Sequence, residues 1–308
     1  MGDHGVERAG QLMHTLRFIA NHPLNRGRRV RAFNKFLQWQ IRSRLAPGPV
    51  VYPWVNGSKV MVRPGETGVT GNVYCGLHEF EDMAYLLHVI GPADLFVDVG
   101  ANVGVYTILA CAVRGAKGIC FEPVPATYAR LLENIRLNAL SDRVQALNVG
   151  VADKDGELLF TSDENTMNHV VVNDADDPND AHTVRVGVST LDLILENQRP
   201  SLLKIDVEGF ETRVLAGAVA TLGDASLNSV IIELNGSGER YGFDETAIPE
   251  TMAGFGFTAC RYEPFARSLE PLAGGTSATG NTLFVRDLAL AKQRISVAPP
   301  VTVDGVRL

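Results

Sequence analysis

The stretch Val97-Asp98-Val99-Gly100-Ala101-Asn102-Val103-Gly104 sets a carboxylate just ahead of a turn bounded by two glycines. Gly100 and Gly104 let the backbone pass close to a ligand, and the free N–H groups of a following helix suit an anion. A dinucleotide-binding turn would carry a glycine where Asn102 stands. Asp98 would repel a pyrophosphate but attract an ammonium or a sulfonium. The loop therefore favours a zwitterionic ligand over a dinucleotide. Glu122 lies about 20 residues further on, where a carboxylate can accept both hydroxyls of a ribose. That residue speaks for an adenosine without choosing between cofactor classes, and Pro123 after it fixes the turn. Three more carboxylates, Asp206, Glu208 and Glu233, follow or end later apolar runs.

These residues need elements that bring them together. Leu95 to Val99, Ile119 to Phe121, Val144 to Val149, Leu202 to Val207 and Val230 to Leu234 read as apolar strands. Helical patterns lie between them: Val105 to Val113, Thr127 to Leu140, and a segment carrying Val214, Leu215 and Ala218. Such alternation predicts an α/β fold, a mostly parallel sheet with helices on both faces. In an open sheet of this kind ligands bind beyond the carboxyl ends of the strands. That rule draws Asp98, the Gly100–Gly104 loop, Glu122, Asn148–Gly150, Asp206–Gly209 and Glu233–Asn235 into one neighbourhood. Taken singly, a strand-end Asp or Asn serves as readily as a helix cap.

Four regions follow. Residues 1–45 form a basic helical arm, and 46–92 a small β element with a helix from Glu79 to Ile90. Residues 93–288 make the main domain, with a β-rich insertion at about 152–190. The insertion holds Asp155-Gly156, Val170 to Val172 and Val184 to Val186. Phe257 to Arg261 and Thr282 to Val285 are expected as antiparallel edge strands, and 289–308, with Pro299-Pro300, as a peripheral tail.

The 308 residues carry a formal net charge of −7, which argues against nucleic acid as a partner of the whole surface. Against that balance, the arm holds Arg17, Arg26, Arg28, Arg29, Arg31, Lys35 and Arg42 with no Asp or Glu among them. It reads either as a helix packing on the domain or a second subunit, or as one docking on an anionic membrane surface or lipid-linked substrate. Cys75, Cys111, Cys120 and Cys260 show no paired spacing and are expected to be buried thiols. No apolar run is long enough to span a membrane, and the opening residues lack the order of a signal peptide. A cytoplasmic protein is expected, with peripheral contact at the inner membrane face as an added role for the arm.

The motifs "FVDVGANVGVYT", "FEPVPATYARLLENIRLNAL", "NVGVADKDGELLF", "TLDLIL" and "LLKIDVEGFETRVLAGA" resemble, in order, the FkbM family of S-adenosylmethionine-dependent methyltransferases. The resemblance runs from about Asn72 to Arg286, most of the chain. It implies a Rossmann-like class I methyltransferase fold and O-methylation, often of sugars or polyketide hydroxyls. The upstream "HPLNRGRRVRAFNKFLQWQIRSRL" and "GLHEFEDMAYLLHVI" are similar to a subgroup associated with bacterial polysaccharide or glycolipid modification. Carried over, Asp98, Gly100, Ala101, Asn102 and Gly104 surround the methionine part of the cofactor, and Tyr106 and Thr107 also bind the cofactor. Glu122, beside Pro123, holds the ribose, and Asn148, Val149 and Gly150 border the adenine. Glu79 closes over the cofactor, and Asp206 and Glu208 stand beside the transferred methyl.

Methyl transfer to a hydroxyl requires alignment of oxygen, carbon and sulfur and the removal of a proton. Asp206 and His169 are the candidate bases, with His169 placed over the acceptor by the insertion. Asp206 has the alternative of holding the cofactor's amino group, and Glu208 that of compensating the dipole of the following helix. Asp206, Glu208 and Glu233 could also converge on a divalent metal that acidifies the acceptor; a metal-free site is the favoured reading. Asp174, Asp176, Asp177 and Asp180 lack the glycine and terminal Glu of a calcium loop. The competing functions are a nicotinamide-dependent oxidoreductase, disfavoured by Asp98 and Asn102, and a non-catalytic membrane- or complex-associated module. A homodimer through the arm is a further expectation.

Overall fold

The structure, a computed structural model, describes residues 3–46, 48–162, 168–171, 182–277 and 280–308. Two helices, α1 (Asp3–Asn21) and α2 (Arg29–Leu45), lead into a hairpin of β1 (Val50–Pro53) and β2 (Lys59–Val62). The helices α3 (Thr67–Cys75) and α4 (Phe80–Val89) follow. Then β and α alternate: β3 (Leu95–Val99), α5 (Val105–Ile108) continued by a π-helical turn to Val113, β4 (Lys117–Phe121), α6 (Pro125–Leu137) and β5 (Val144–Leu147).

The insertion is a three-stranded sheet of β6 (Gly150–Val151), β7 (Gly156–Thr161) and β8 (Thr183–Ser189), with Val170 bridged to Phe160. Alternation resumes through α7 (Leu191–Leu195), β9 (Leu202–Ile205), α8 (Glu211–Ala216), α9 (Val219–Gly223) and β10 (Ser229–Glu233). The last segment holds α10 (Ile248–Gly254), β11 (Thr258–Glu263), β12 (Ser268–Pro271), β13 (Asn281–Val285), α11 (Leu288–Val297), β14 (Thr302–Val303) and β15 (Val306–Arg307).

Eight strands form the main sheet in the order β5-β4-β3-β9-β10-β13-β11-β12. The five from β5 to β10 are parallel, and β13 runs against β10. Because β11 is antiparallel to β13, it points the same way as the parallel five. The expectation of two antiparallel edge strands is thus corrected: β13 lies inside the sheet, and the edge is β12, hairpinned onto β11. Strand order reverses between β3 and β9, so the loops after these two strands open onto the switch point where α/β sheets bind ligands.

Alternation along each strand assigns its two faces. Val97, Val99, Leu203, Ile205, Val230, Ile232 and Phe284 pack with α7 to α10 on one face. Phe96, Leu202, Ile231, Leu283 and Val285 join α4, the α5 turn and α11 on the other. The period of two then places Asp98, Lys204, Glu233 and Asn281 on the α4 face, at the end of the sheet where the switch point opens. Two of these pairs face each other directly, Asp98 with Lys204 and Glu233 with Asn281.

Two further expectations need correction. Residues 67–75 form helix α3 rather than β structure, with Val69, Val73 and Tyr74 buried against the arm. The tail is not peripheral: Val301, Val303 and Leu308 are buried in the principal core, and Arg267 donates to the carbonyl of Leu308. The arm packs its Ile19, Ala32 and Trp39 on α3 and the β1–β2 hairpin, in a cluster that reaches Val103 of the glycine loop. The four cysteines are buried free thiols, as expected.

Candidate active site

At the end of β3 the chain turns through Gly100 (φ 78°), Asn102 (φ 52°) and Gly104 (φ 87°), all left-handed. Asn is among the few side-chain-bearing residues that tolerate this region. A Cβ on Gly100 would lie 1.8 Å from the carbonyl oxygen of Asp206, so the loops after β3 and β9 touch backbone to backbone. The N–H groups of Gly100 and Ala101 donate to the carbonyl of Phe121, which binds the same loop to the end of β4.

Asp98 is 1% exposed and accepts a hydrogen bond from Thr107 Oγ1 at 2.7 Å. Burial raises its pKa to about 6, against the opposing pull of Lys204 and Thr107. Thr107 is fully buried and supports Asp98 from behind. Glu122 accepts the N–H of Asn102 at Oε2 and that of Val124 at Oε1, both at 3.0 Å. A carboxylate has about four lone-pair sites, so each oxygen keeps one for a ligand while the pair ties the glycine loop to the next turn. Burial moves Glu122 up to about 7. Asn148 donates to the carbonyls of Glu122 and Pro123 and closes the same turn. Gly150, by contrast, belongs to β6 and pairs with Val188 of the insertion sheet; it is a structural position, next to Val149 at the rim.

Lys204 lies on β9 with its side chain 4% exposed, 2.5 Å from Asp206 Oδ2 and 4.7 Å from the centre of the Tyr106 ring. Burial opposes the charge, but the carboxylates of Asp206, Glu79 and Asp98 outweigh it and hold the ammonium protonated. Burial likewise opposes ionisation of Asp206, and the adjacent ammonium overcomes it, keeping that carboxyl below its ordinary range. Glu233 is shifted the other way, by burial and then by Asp206 beside it. The two carboxyls therefore differ in role: Asp206 is ionised and Glu233 holds a proton at neutral pH.

The first turn of α4 covers this layer. Asn281 Nδ2 donates to Glu79 Oε1 at 2.9 Å and to Asp82 Oδ2 at 3.2 Å. Burial, reinforced by Glu79, raises Asp82 to about 7. Asn281 Oδ1 is buried without a hydrogen-bond partner, a polar atom that a bound hydroxyl or amine would satisfy. Glu79, which the motif placed near the cofactor, thus belongs to the same constellation as Asp98, Tyr106 and Asp206.

Glu208 adopts a left-handed backbone (φ 55°) before α8 begins. The dipole role expected of it falls instead to Glu211, in the first turn, which is 1% exposed and accepts the N–H groups of Val207 and Gly209. Glu208 joins Asp206 and Glu233, whose carboxylate oxygens lie within 4.8 Å of one another. A divalent cation would share that cluster with the ammonium already seated on Asp206, which weakens its attraction. His169 is hydrogen bonded through its backbone to Thr161 of β7. Its neighbour Val170 accepts from Tyr241, in the segment after β10, so the insertion does reach the end of the sheet where Glu233 lies. The Asp174–Asp180 cluster falls outside the described residues.

The profile of the methyltransferase FkbM domain matches residues 98–263, more than half of the chain. The chain belongs to this family. A hexuronic acid methyltransferase, AglP of Haloferax volcanii, is 31% identical over 158 residues, covering 49% of this chain and 59% of the relative. The 31-O-demethyl-FK506 methyltransferase FkbM of Streptomyces tacrolimicus is 29% identical over 230 residues, covering 64% of this chain and 84% of the relative. Among solved structures, a methyltransferase FkbM from Methylobacillus flagellatus aligns with a TM-score of 0.43 at 15% identity, covering 64% of this chain and 44% of that one. The chain thus spans less than two thirds of the length of AglP and of the solved FkbM structure. The FkbM match starts at Asp98 and takes in the glycine loop, Glu122 and the Lys204–Glu208 segment; Glu79, Asp82 and Asn281 lie outside it.

Four residues of the constellation had no role in the reading of the sequence: Lys204, Asp82, Asn281 and Glu211. Lys204 carries the clearest signal, a charge flanked by leucines and isoleucine in a strand buried on both faces. Asp82 and Asn281 are 199 residues apart in the chain, and only strand order brings them together.

Proposed function

We propose that the chain is an S-adenosylmethionine-dependent O-methyltransferase acting on a hydroxyl of a sugar or glycoconjugate. The observation that carries this reading is the buried Asp98 carboxylate beside the glycine loop at the switch point. It suits a ligand with positive charge and disfavours a pyrophosphate. Glu122, with a free lone pair on each oxygen, suits the ribose, and Asn281 Oδ1 supplies a buried acceptor. These residues fit the cofactor.

Bound there, the cofactor would supply an electrophilic methyl: attack by the acceptor oxygen forms an O–C bond, a sulfonium C–S bond is lost, and the acceptor's proton must leave. In this reading Asp206 orients the hydroxyl and takes that proton. Lys204 keeps it ionised, and Glu233, already protonated, does not compete. A positioned base contributes about 10²–10⁴-fold when its pKa is near the working pH, and Asp206, held below the ordinary range, belongs at the low end of that span. With Asp206 ionised and Glu233 protonated, the carboxyl groups of the site offer both acceptors and a donor to the hydroxyls of a sugar. The names of the two relatives, one acting on a hexuronic acid and one on an oxygen of FK506, support the same reading.

Calorimetric titration with S-adenosylhomocysteine is the test, with NAD as the comparison. Binding of the former alone is expected, and Asp98→Ala should weaken it at least about tenfold, the loss of one charge-assisted contact. Stronger binding of NAD would favour an oxidoreductase, and an unchanged affinity in Asp98→Ala would remove Asp98 from the site.

A further inference from the structure

We infer that the outward face of α2 is a docking surface for an anionic lipid bilayer. From Ala9 to Gly65 the chain contains no Asp or Glu, in a protein whose overall charge is −7. Part of the arm's positive charge is used within the fold. Arg28 and Arg31 donate to the carbonyl of Asp304, Lys35 pairs with the Asp304 carboxylate, and Arg29 donates to Ala20. The rest is not. Arg17, Arg26 and Arg42 are exposed, and no carboxylate pairs with them among the described residues. Arg44 is also exposed, with its guanidinium on Gln40.

The helix has two apolar sides. Ala32 and Trp39 are buried, and Phe36 stacks edge-on against Tyr74 of α3. On the opposite side Val30, Leu37, Ile41 and Leu45 are 76%, 55%, 50% and 81% exposed. At 100° per residue these four fall within one narrow stripe, about 22 Å long at the helical rise. Arg44 lies along one flank of it with Arg29, and Arg42 along the other with Arg31; Arg29 and Arg31 each donate one N–H to a backbone carbonyl and keep their charge and exposure. An apolar stripe between two basic rows is the pattern of a helix lying in a bilayer interface, its apolar residues among the acyl chains and its arginines among the headgroups. A second copy of the chain fits poorly, because self-pairing of the stripe would bring arginine rows of like sign together. An apolar face with no charge preference would need no such rows. No helix among the described residues is long and apolar enough to cross a membrane, so the contact is peripheral.

The inference does not depend on the chemistry of the site, and its test is separate. The full chain is floated with phosphatidylcholine vesicles and with vesicles that also contain phosphatidylglycerol, at low and high salt. Co-flotation with the acidic vesicles at low salt, lost in high salt and on phosphatidylcholine alone, is the expected result. Arg42→Glu with Arg44→Glu should lower the bound fraction about tenfold or more. Leu37→Glu with Ile41→Glu should do the same, with circular dichroism and S-adenosylhomocysteine affinity unchanged. Failure of the full chain to float with acidic vesicles overturns the inference, as do variants that float equally well. A stripe variant that only converts a dimer to a monomer in light scattering, with no vesicle binding by the parent, assigns the face to self-association instead.

Discussion

Lys204 and Asp206 divide the work of one strand end: the ammonium is buried and the carboxylate reaches solvent, its side chain 26% exposed. Without the ammonium, burial and the neighbouring Glu233 would push the Asp206 carboxyl up. Lys204→Met keeps a side chain of similar length and removes the charge. With S-adenosylmethionine saturating, so that the cofactor holds Asp98 ionised, the acid limb of the parent's kcat/KM for the acceptor should lie below the usual carboxylate range, because Asp206 is already ionised there. In Lys204→Met that limb should move up by at least about one pH unit, and activity should recover towards high pH. A profile that keeps its acid limb while falling uniformly would show that Lys204 acts through packing on Tyr106 rather than through Asp206.

At the scale of elements, the final hairpin is a structural member. Val301 and Val303 are essentially fully buried and Leu308 is 6% exposed, while Arg267 donates to the carbonyls of Ile295, Ala298 and Leu308. Each buried aliphatic side chain is worth about 1.5–3 kcal/mol. Deleting residues 300–308 should therefore cost at least about 3 kcal/mol of unfolding free energy in a urea titration. A loss within about 0.5 kcal/mol, typical of surface changes, would restore the tail to the periphery. This is also where legibility of the sequence stops. Periodicity exposed β3, β4, β9 and β10, because each is an apolar run bounded by turn residues, and the strand-end rule gathered Asp98, Glu122 and Asp206 correctly. The same periodicity says nothing about which helix an isolated Val301 or Leu308 will meet. Nor does it reveal that β13 slips between β10 and β11, since antiparallel and parallel strands carry the same alternation. Asp82 and Asn281 stayed hidden for that reason, whereas Lys204 stood in plain view, a charge inside an apolar strand.

The whole molecule carries an unusual balance of buried titratable groups, and its stability should follow. Burial raises Asp82, Glu122 and Glu211 to about 7 and Asp98 to about 6, against about 4 in the unfolded chain. Their neutral forms are favoured in the fold, so the folded state binds the extra protons and stability increases as pH falls through 7. His22 and His88 are held neutral by burial, down to about 4. The unfolded chain protonates them below about 6.5, and stability is lost there. Between pH 8 and about 6.5 the four carboxyls take up more protons in the fold than His22, His88 and the likewise buried His78 take up in the unfolded chain, so the Tm of the ligand-free protein should rise over that window. S-adenosylhomocysteine, whose ammonium prefers an ionised Asp98, should raise Tm more at pH 8 than at pH 5.5. A Tm that falls from pH 8 to 6.5 would contradict the assignment of these groups as buried acids.

The abutment of Gly100 on the Asp206 carbonyl has a consequence for what such a scaffold can vary. One loop would carry the methyl donor and the other the group that steers the acceptor oxygen, and they are separated by the hydrogen on a single α-carbon. Even a methyl group at position 100 would act as a wedge, forcing the two halves of the reaction apart. The spacing of the two loops is thus a machined dimension with no adjustment left in it. In the proposed reaction a change of acceptor would have to be accommodated elsewhere, for instance at the first turn of α4, where Glu79 and Asp82 meet Asn281.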